Sequence, residues 1–311
     1  MILVAGSANL DFVVRADHIP APGETVLGRD FKTFPGGKGA NPAVACARAG
    51  GVATHMLLAL GNDDFAKPLE ESLAGAGVQL HIVREVDHPT GTAFICLSKA
   101  GENAITVAPG ANACLRPVHL PRLTGYTHLL LQLETPLHTV RAYAQAAHDA
   151  GVAVVLNAAP AQVLEHELLT LVDILVVNEG ELATVAQHSG NIVECLDKLN
   201  VPTVVVTLGS HGCLARHQGT LHWQNAFSVN PVDTTGAGDT FCGGLCAALS
   251  QGQSLPDALR YASAAGALAC TKLGAQSSVP DATEVTAQMQ QQPDTNNPAA
   301  LAALRRVCGL T

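Results

Sequence analysis

Aromatic residues are scarce in this chain of 311: they make up 4% of it, although 48% of its residues are hydrophobic. The core must therefore be filled by Ala, Val, Leu and Ile, a mixture that suits buried aliphatic strands and closely packed helices. Charged residues reach only 14%, and nowhere do Lys and Arg cluster. The electrostatic footprint of a nucleic-acid binder is thus missing. None of the nine cysteines stands in a C-x-x-C pair, and none of the thirteen histidines in H-x-H or H-E-x-x-H spacing. Those gaps argue against zinc-finger, dithiol and zincin chemistry and leave free thiols packed in a reducing compartment. No stretch approaches the roughly 20 apolar residues of a membrane span. The run Met1-Ile-Leu-Val-Ala-Gly6 lacks a basic lead and is too short for a secretory signal. The expectation is a cytoplasmic protein with neither membrane nor nucleic acid as partner.

Two nucleotide-binding signatures are missing as well. Lys38 in Gly36-Gly-Lys-Gly39 is followed by glycine, so the run is not a Walker A loop. No G-x-G-x-x-G follows the first apolar run with an acidic residue about 20 positions on, which argues against an NAD-dependent oxidoreductase.

What is present is 29 glycines, a net charge of −9 and a regular alternation of apolar runs. Ile2 to Ala5 reads as a strand ending at Gly6-Ser-Ala-Asn9. Residues 12 to 34 carry turn signals at Pro20, Pro22-Gly23 and Gly28 and read as short β segments. A helix over Ala40 to Ala49, a strand over Thr54 to Leu60 and a helix over Asp64 to Ala76 follow. Thr90 to Leu97 and Asn103 to Ala108 are β-like and joined by a hairpin at Lys99 to Glu102. Strands at 127–133, 152–156, 173–177 and 203–207 then alternate with helices at 136–150, 161–171 and 179–199, the last broken at Ser189-Gly190. Such alternation implies βαβ units and a parallel sheet. Helices are predicted at 238–250, 256–273 and 281–289, then a loose linker from Gln290 to Pro298 and a terminal helix over 299–307. The expected fold is α/β: one domain over 1–311, a doubly wound, mostly parallel sheet flanked by helices. Two segments, about 10–35 and 87–108, would form a small β lid, and 289–311 a C-terminal extension. An apolar face on such a lid favours a homodimer.

Asp233-Thr-Thr-Gly-Ala-Gly-Asp239 runs into a small-residue apolar stretch from Cys242 to Leu249. It reads as a glycine turn opening a helix, where backbone N–H groups attract anions. A carboxylate fixed beside that anion hole, Asp239, suits deprotonation of an alcohol while charge builds on a transferring phosphate. The same residues also make an ordinary helix cap. Asn9-x-Asp11 and Gly36-Gly-Lys-Gly-Ala-Asn41 fall at strand or loop ends, where open α/β sheets bind ligands. A carboxylate accepts two hydroxyl hydrogens, and an amide both donates and accepts, as a polyhydroxylated ligand requires. In Asn178-Glu-Gly-Glu181, an amide and a carboxylate three apart share a helix face. They suit a hydrated Mg²⁺, or simply the helix dipole. Thr207-Leu-Gly209 suits a turn near nucleotide phosphates.

These elements occur in one order, each near a strand end, and in that order they resemble the ribokinase-like sugar kinases, the phosphofructokinase-B type family. The resemblance runs from residue 2 to about residue 282. Pro22-Gly-Glu-Thr25, Gly101-Glu-Asn103, Gly110-Ala-Asn112, Thr207-Leu-Gly-Ser210 and Gly274-Ala-Gln276 match its ribose-phosphorylating branch. What the resemblance implies is transfer of phosphate from MgATP to the 5-hydroxyl of D-ribose. Deoxyribose, a nucleoside or another furanose is the alternative acceptor; a non-catalytic sugar sensor would not need Asp239 and its intact glycine turn. Asp239 would be the general base, with Gly236, Ala237 and Gly238 as the anion hole. Asn9, Asp11, Gly37, Lys38, Asn41, Glu134 and Asp239 would surround the sugar, and Ala93 and Ile95 would close over it from the lid. Asn178 and Glu181 would organise Mg²⁺ through water. Asn178, Thr207 and Gly209 would lie near the ATP phosphates and Ser263 near the adenine. The family's activating K⁺ would fall at Asp233, Thr235, Ala269, Lys272, Gly274 and Ser278, several through backbone carbonyls. This chain departs from the family at Ser263, where some members carry Asn, and in the tail from Met289 to Thr311, which has no counterpart.

Overall fold

Every residue of β1 (Ile2–Ala5) is buried, because the strand sits inside the larger of two sheets. The computed structural model describes residues 1–309. After β1 come β2 (Asn9–Arg15), β3 (Arg29–Gly36), α1 (Ala40–Arg48), β4 (Thr54–Gly61), α2 (Ala66–Gly75) and β5 (Gln79–Glu85). A hairpin of β6 (Gly91–Leu97) and β7 (Asn103–Ala108) leads to β8 (His128–Leu131), α3 (Leu137–Asp149) and β9 (Ala153–Asn157). Next are α4 (His166–Leu169), β10 (Ile174–Asn178), α5 (Glu179–Ala186), α6 (Ile192–Asp197) and β11 (Thr203–Thr207). The chain ends with β12 (Gly212–His217), β13 (Thr220–Asn225), α7 (Ala237–Ser250), α8 (Leu255–Ala269), α9 (Ala282–Gln291) and α10 (Pro298–Val307).

The nine-stranded sheet has the order β13-β12-β11-β10-β9-β8-β1-β4-β5. It is parallel from β11 to β5, and β12 and β13 run antiparallel at one edge. Alternate side chains of each strand go to opposite faces. Ile2 and Val4 join the layer of α1, α2, α7 and α8; Leu3 and Ala5 join the layer of α3 to α6. Strand order reverses between β1 and β8, one branch continuing to β4 and β5 and the other to β9, β10 and β11. Crevices outside the carboxyl ends of strands at such a reversal are where ligands bind in doubly wound sheets.

Small residues decide how closely two helices meet there. A Cβ added to Gly243 of α7 would lie 2.4 Å from Ala45 Cβ and 2.6 Å from Pro42 O of α1. This seam brings the N-termini of α1 and α7 together. The second sheet, ordered β3-β2-β6-β7, stands apart from the first. A cluster of rings lies on it: Phe12 is 6.0 Å from Phe31 and 5.4 Å from Phe94 between ring centres, and 5.3 Å from Phe65, which precedes α2.

The structure departs from the sequence expectations in four places. The helix expected over 161–171 spans only His166–Leu169. The preceding residues return across the strand ends instead, with Leu133 N donating to Ala159 O and Gln162 Nε2 to Leu133 O. Strand β5 and the hairpin β12–β13 had no assignment; β12 and β13 turn at Gln218-Gly219, both at positive φ. The helix expected over 256–273 stops at Ala269. The segment expected to be a loose linker is anchored: Asn296 Oδ1 accepts from Asn225 N and Nδ2, and Arg260 Nη2 donates to Met289 O and Gln292 O. Beyond it, α10 buries Leu304, and Cys308 is buried just past its end. No described helix is long and apolar enough to cross a membrane.

Candidate active site

The loop leaving β1 and the loop leaving β8 meet at the strand-order reversal, and a carboxylate ties them. Glu134 Oε2 accepts from Ser7 Oγ (2.6 Å), Asn9 Nδ2 (3.2 Å) and the Lys38 backbone N–H (3.1 Å). Three donors on one oxygen fix the carboxylate and, with it, the first turn of the glycine run. Asn9 is held from behind by Asn112, whose Nδ2 donates to Asn9 Oδ1 at 2.7 Å. Asn112 also receives from Ala8 N (3.0 Å) and donates to Ala8 O (3.2 Å). Asp11, two residues further along β2, is 8% exposed and accepts no protein hydrogen bond among the described residues.

Across the crevice, Gly236 caps α7 at φ +74, a left-handed conformation that glycine adopts freely. That bend ends the 233–236 turn and starts the helix on the next residue, so Asp239 lies in the first turn of α7. The seam of small residues puts Asn41 within reach, and Asn41 Nδ2 donates to Asp239 Oδ2 at 2.8 Å. Asn41 Oδ1 and Thr240 Oγ1 are buried with no partner. Asp239 retains some open surface, yet its carboxyl is ringed by protein.

Four acids thus share this space with one ammonium. Burial pushes the Asp11 carboxyl up to about 7, helped by the negative charges of Glu134 and Asp239. Burial likewise raises Asp239; Lys38 and the Asn41 hydrogen bond pull the other way. Glu181 is raised by burial, against its hydrogen bond from Asn178 and the charge of Lys38. Burial works against the Lys38 ammonium, but Asp239, Glu134 and Glu181 together hold it above its ordinary range. Mutual influence of this kind goes with charges at 11, 38, 134, 181 and 239 that lie near one another.

The remaining candidate residues fall around this centre. Gly37, at φ +104, sits against Ala8 and Asn9. Ala93 is paired in register with Asp11 and Ile95 with Val13, so both share the Asp11 face of the small sheet. Asn178 and Thr207 are register partners at adjacent strand ends. The Asn178 side chain accepts from Glu181 N, and Glu181 Oε2 accepts from Asn178 N, a reciprocal cap of α5. Glu181 Oε1 stays free in that arrangement, which fits a hydrated Mg²⁺. Thr207 Oγ1 donates to Val177 O, and Gly209 is exposed at φ +55. Ser263 is buried in α8 against Cys213 of β12, 3.7 Å from its sulfur, and no hydrogen bond joins it to the acids.

Asp233 ties its turn to the 270–274 loop. Its Oδ1 accepts from Thr235 N and Oγ1, its Oδ2 from Gly274 N, and Val232 N and Asp233 N both donate to Cys270 O. Burial opposes its charge, but these hydrogen bonds hold its carboxyl below the usual range and so ionised. The carbonyls of Thr235, Lys272 and Gly274 accept no hydrogen bond among the described residues. An ionised carboxylate beside unused carbonyls fits a monovalent cation. Ala269 ends α8, and Ser278 Oγ donates to Ala275 O. The Lys272 ammonium turns away to Glu284 at 3.0 Å.

Ser7 and Asn112 were not singled out as site residues from the sequence. Both lay inside short motifs whose neighbours drew attention, and only the fold shows what they hold.

Fold and crevice together define an α/β phosphotransferase with a small β-sheet beside the switch point. The family model for pfkB family carbohydrate kinases matches residues 1–282. The ribokinase of Haemophilus influenzae is 38% identical over 291 residues, covering 90% of this chain and 95% of that one. A ribokinase structure from Thermotoga maritima aligns with a TM-score of 0.85 at 36% identity, over 93% of this chain and 99% of its own. The structure of Arabidopsis thaliana ribokinase complexed with ribose and ATP aligns at 0.84 and 32% identity, over 93% and 98% of the two chains. The chain belongs to the pfkB family of carbohydrate kinases.

Proposed function

We propose that this protein transfers the γ-phosphate of MgATP to the 5-hydroxyl of D-ribose. The observation that carries the reading is the Asn41–Asp239 hydrogen bond, which aims a buried carboxylate from a glycine-capped helix start into the crevice of Asn9 and Asp11. Asn41 occupies Oδ2 and leaves Oδ1 for the hydroxyl proton. Burial strengthens Asp239 as a base, and the Lys38 charge and the Asn41 hydrogen bond oppose that rise. Backbone N–H groups of Gly236 and Gly238 receive the charge of the transferring phosphate, and the Ala237 N–H, which donates to Thr234 O, joins them once that turn bond opens. Asp11 and Asn41 Oδ1, both without protein donors, accept sugar hydroxyls, and the Lys38 backbone and Glu134 fix the floor beneath them. Ala93 and Ile95 cover the apolar side of the ring from the small sheet, which we read as a lid inserted in a single kinase domain. Residues 289–309 extend that domain at its C-terminus, and the last two positions of the expected 289–311 extension lie outside the described residues.

Thr207, Gly209 and Asn178 line the phosphate side of the nucleotide, and Ser263 its base. Glu181 and Asn178 hold Mg²⁺ through water, and the metal supplies charge neutralisation on the phosphates. The Asp233 loop takes K⁺ and steadies the adjoining anion hole. A homodimer through the lid is supported by exposed Phe31, Phe94, Ile105 and Val107. Nine free cysteines support a cytoplasmic location.

A coupled ADP-release screen over ribose, deoxyribose, fructose phosphates, adenosine and pseudouridine, with and without K⁺, tests this. Ribose is expected to be preferred, and K⁺ to raise turnover. Preference for a nucleoside would replace the proposed acceptor.

A further inference from the structure

The chain crosses between the large sheet and the small one twice near one edge, once leaving β5 and once leaving β7. Glu85 ends β5, and His88 lies in the turn that leads into β6. Cys114 ends the short helical turn Gly110–Cys114 that follows β7. One ligand atom from each of these three residues lies within 4.8 Å of the other two. None takes part in the crevice described above.

We propose that Glu85, His88 and Cys114 form a binding site for a borderline divalent transition metal of the Zn²⁺ type at the root of the small sheet. The donor set is one carboxylate oxygen, one imidazole nitrogen and one thiolate sulfur, which suits Zn²⁺ and does not suit Mg²⁺ or K⁺. Zn–S, Zn–N and Zn–O bonds near 2.0–2.3 Å place tetrahedral ligands roughly 3.3–3.7 Å apart, so closure asks for about 1 Å of side-chain movement. The backbone is already assembled for it. Ala111 N donates to Pro89 O at 2.8 Å and joins the two crossings directly. Thr90, beside Pro89, is clamped by Asp63, which accepts from Thr90 N and Oγ1 at 2.7 Å each. His88 is exposed, and Glu85 and Cys114 are half-buried, which leaves an entry path and a fourth position for water. Binding releases the thiol proton to solvent; burial and then the Glu85 charge hold that proton on, and Arg116 favours its loss.

The test uses the whole protein without nucleotide, titrated with Co²⁺ as an optical probe and then with Zn²⁺ as competitor. One equivalent of Co²⁺ is expected to give a thiolate-to-cobalt charge-transfer band that Zn²⁺ removes. Cys114→Ser is expected to abolish the band, and His88→Ala, which removes an exposed side chain that makes no hydrogen bond among the described residues, to weaken affinity at least ~10-fold. Absence of stoichiometric binding, or a band and affinity unchanged in both variants, overturns the proposal.

Discussion

Asp11→Asn should make the free protein more stable at neutral pH while weakening its hold on sugar. The Asp11 carboxyl moves from an ordinary 3.8 to about 7 on folding, because it is buried beside Glu134 and Asp239 and no protein donor serves it. That displacement corresponds to about 4 kcal/mol, with ~2–4 kcal/mol expected once water relaxation in the open crevice is included. The sign follows from the direction. With its pKa raised in the folded state, Asp11 lets the protein keep its full stability below 3.8 and lose it as pH rises through about 7. Asparagine does not ionise, so the gap between variant and parent should be near zero at pH 4, open between pH 4 and 7, and stay constant above pH 8. Denaturant unfolding of both proteins across this range measures it, and the difference between them cancels the titrating groups that do not interact with Asp11. Sugar affinity, read by calorimetry without ATP so that Asp239 chemistry is silent, should fall about tenfold per pH unit below 7 in the parent. In the variant it should be weaker and flat. A variant no more stable than the parent at pH 8.5 would show that the Asp11 carboxylate is not strained, and the electrostatic reasoning would fail.

Asp239→Asn should lower turnover by at least ~10²-fold with little change in sugar affinity, measured by ADP release and by calorimetry; near-normal turnover removes the assigned base. Gly236→Ala meets two penalties. A left-handed alanine costs about 1–2 kcal/mol, and its Cβ would lie 2.9 Å from both Ala275 Cα and Ala275 Cβ, adding about 1–3 kcal/mol. Thermal unfolding and turnover should both suffer, and a variant matching the parent in both refutes the cap. Asn112→Ala should raise KM for sugar roughly tenfold, the factor for about 1.4 kcal/mol, and lower kcat much less, because Asn112 only orients Asn9; an unchanged KM removes that role.

Strong periodicity made the buried parallel strands and most helices legible. Ile2–Ala5, Thr203–Thr207 and the stretch after Asp239 are nearly all apolar, and nothing polar competes for their pattern. The elements missed are those whose burial is one-sided. Strand β5, Gln-Leu-His-Ile-Val-Arg-Glu, alternates weakly at a sheet edge, and the β12–β13 hairpin carries His, Arg and Gln among its apolar residues. The anchoring of 290–298 could not be read, since its partners Asn225 and Arg260 lie some 30 to 70 residues away. For the crevice, residue types announced themselves where glycine and acid stood together, as at 236–239. Ser7 and Asn112 did not, because a hydroxyl and an amide are common and their partners, Glu134 and Asn9, lie more than 100 residues distant. Long-range hydrogen bonding is set by sheet order, and sheet order is not written in local pattern.

Glu134 offers the sharpest contrast with Asp11, although both are acids of one crevice. Its Oε2 serves Ser7 Oγ, Asn9 Nδ2 and Lys38 N, so it satisfies the protein where Asp11 waits for a ligand. Leucine at 134 would strand those donors, two of them on fully buried residues. Each orphaned buried donor costs about 1–3 kcal/mol, less than additively where water enters the crevice. Glu134→Leu is therefore expected to lose at least ~3 kcal/mol of stability and most sugar affinity together. Asp11→Asn should gain the first while losing the second. The opposite signs follow from hydrogen bonding, since both groups are acids of one crevice but only Glu134 serves protein donors. If denaturant unfolding moved both variants in the same direction, the division of the crevice into a satisfied floor and a waiting wall would be wrong.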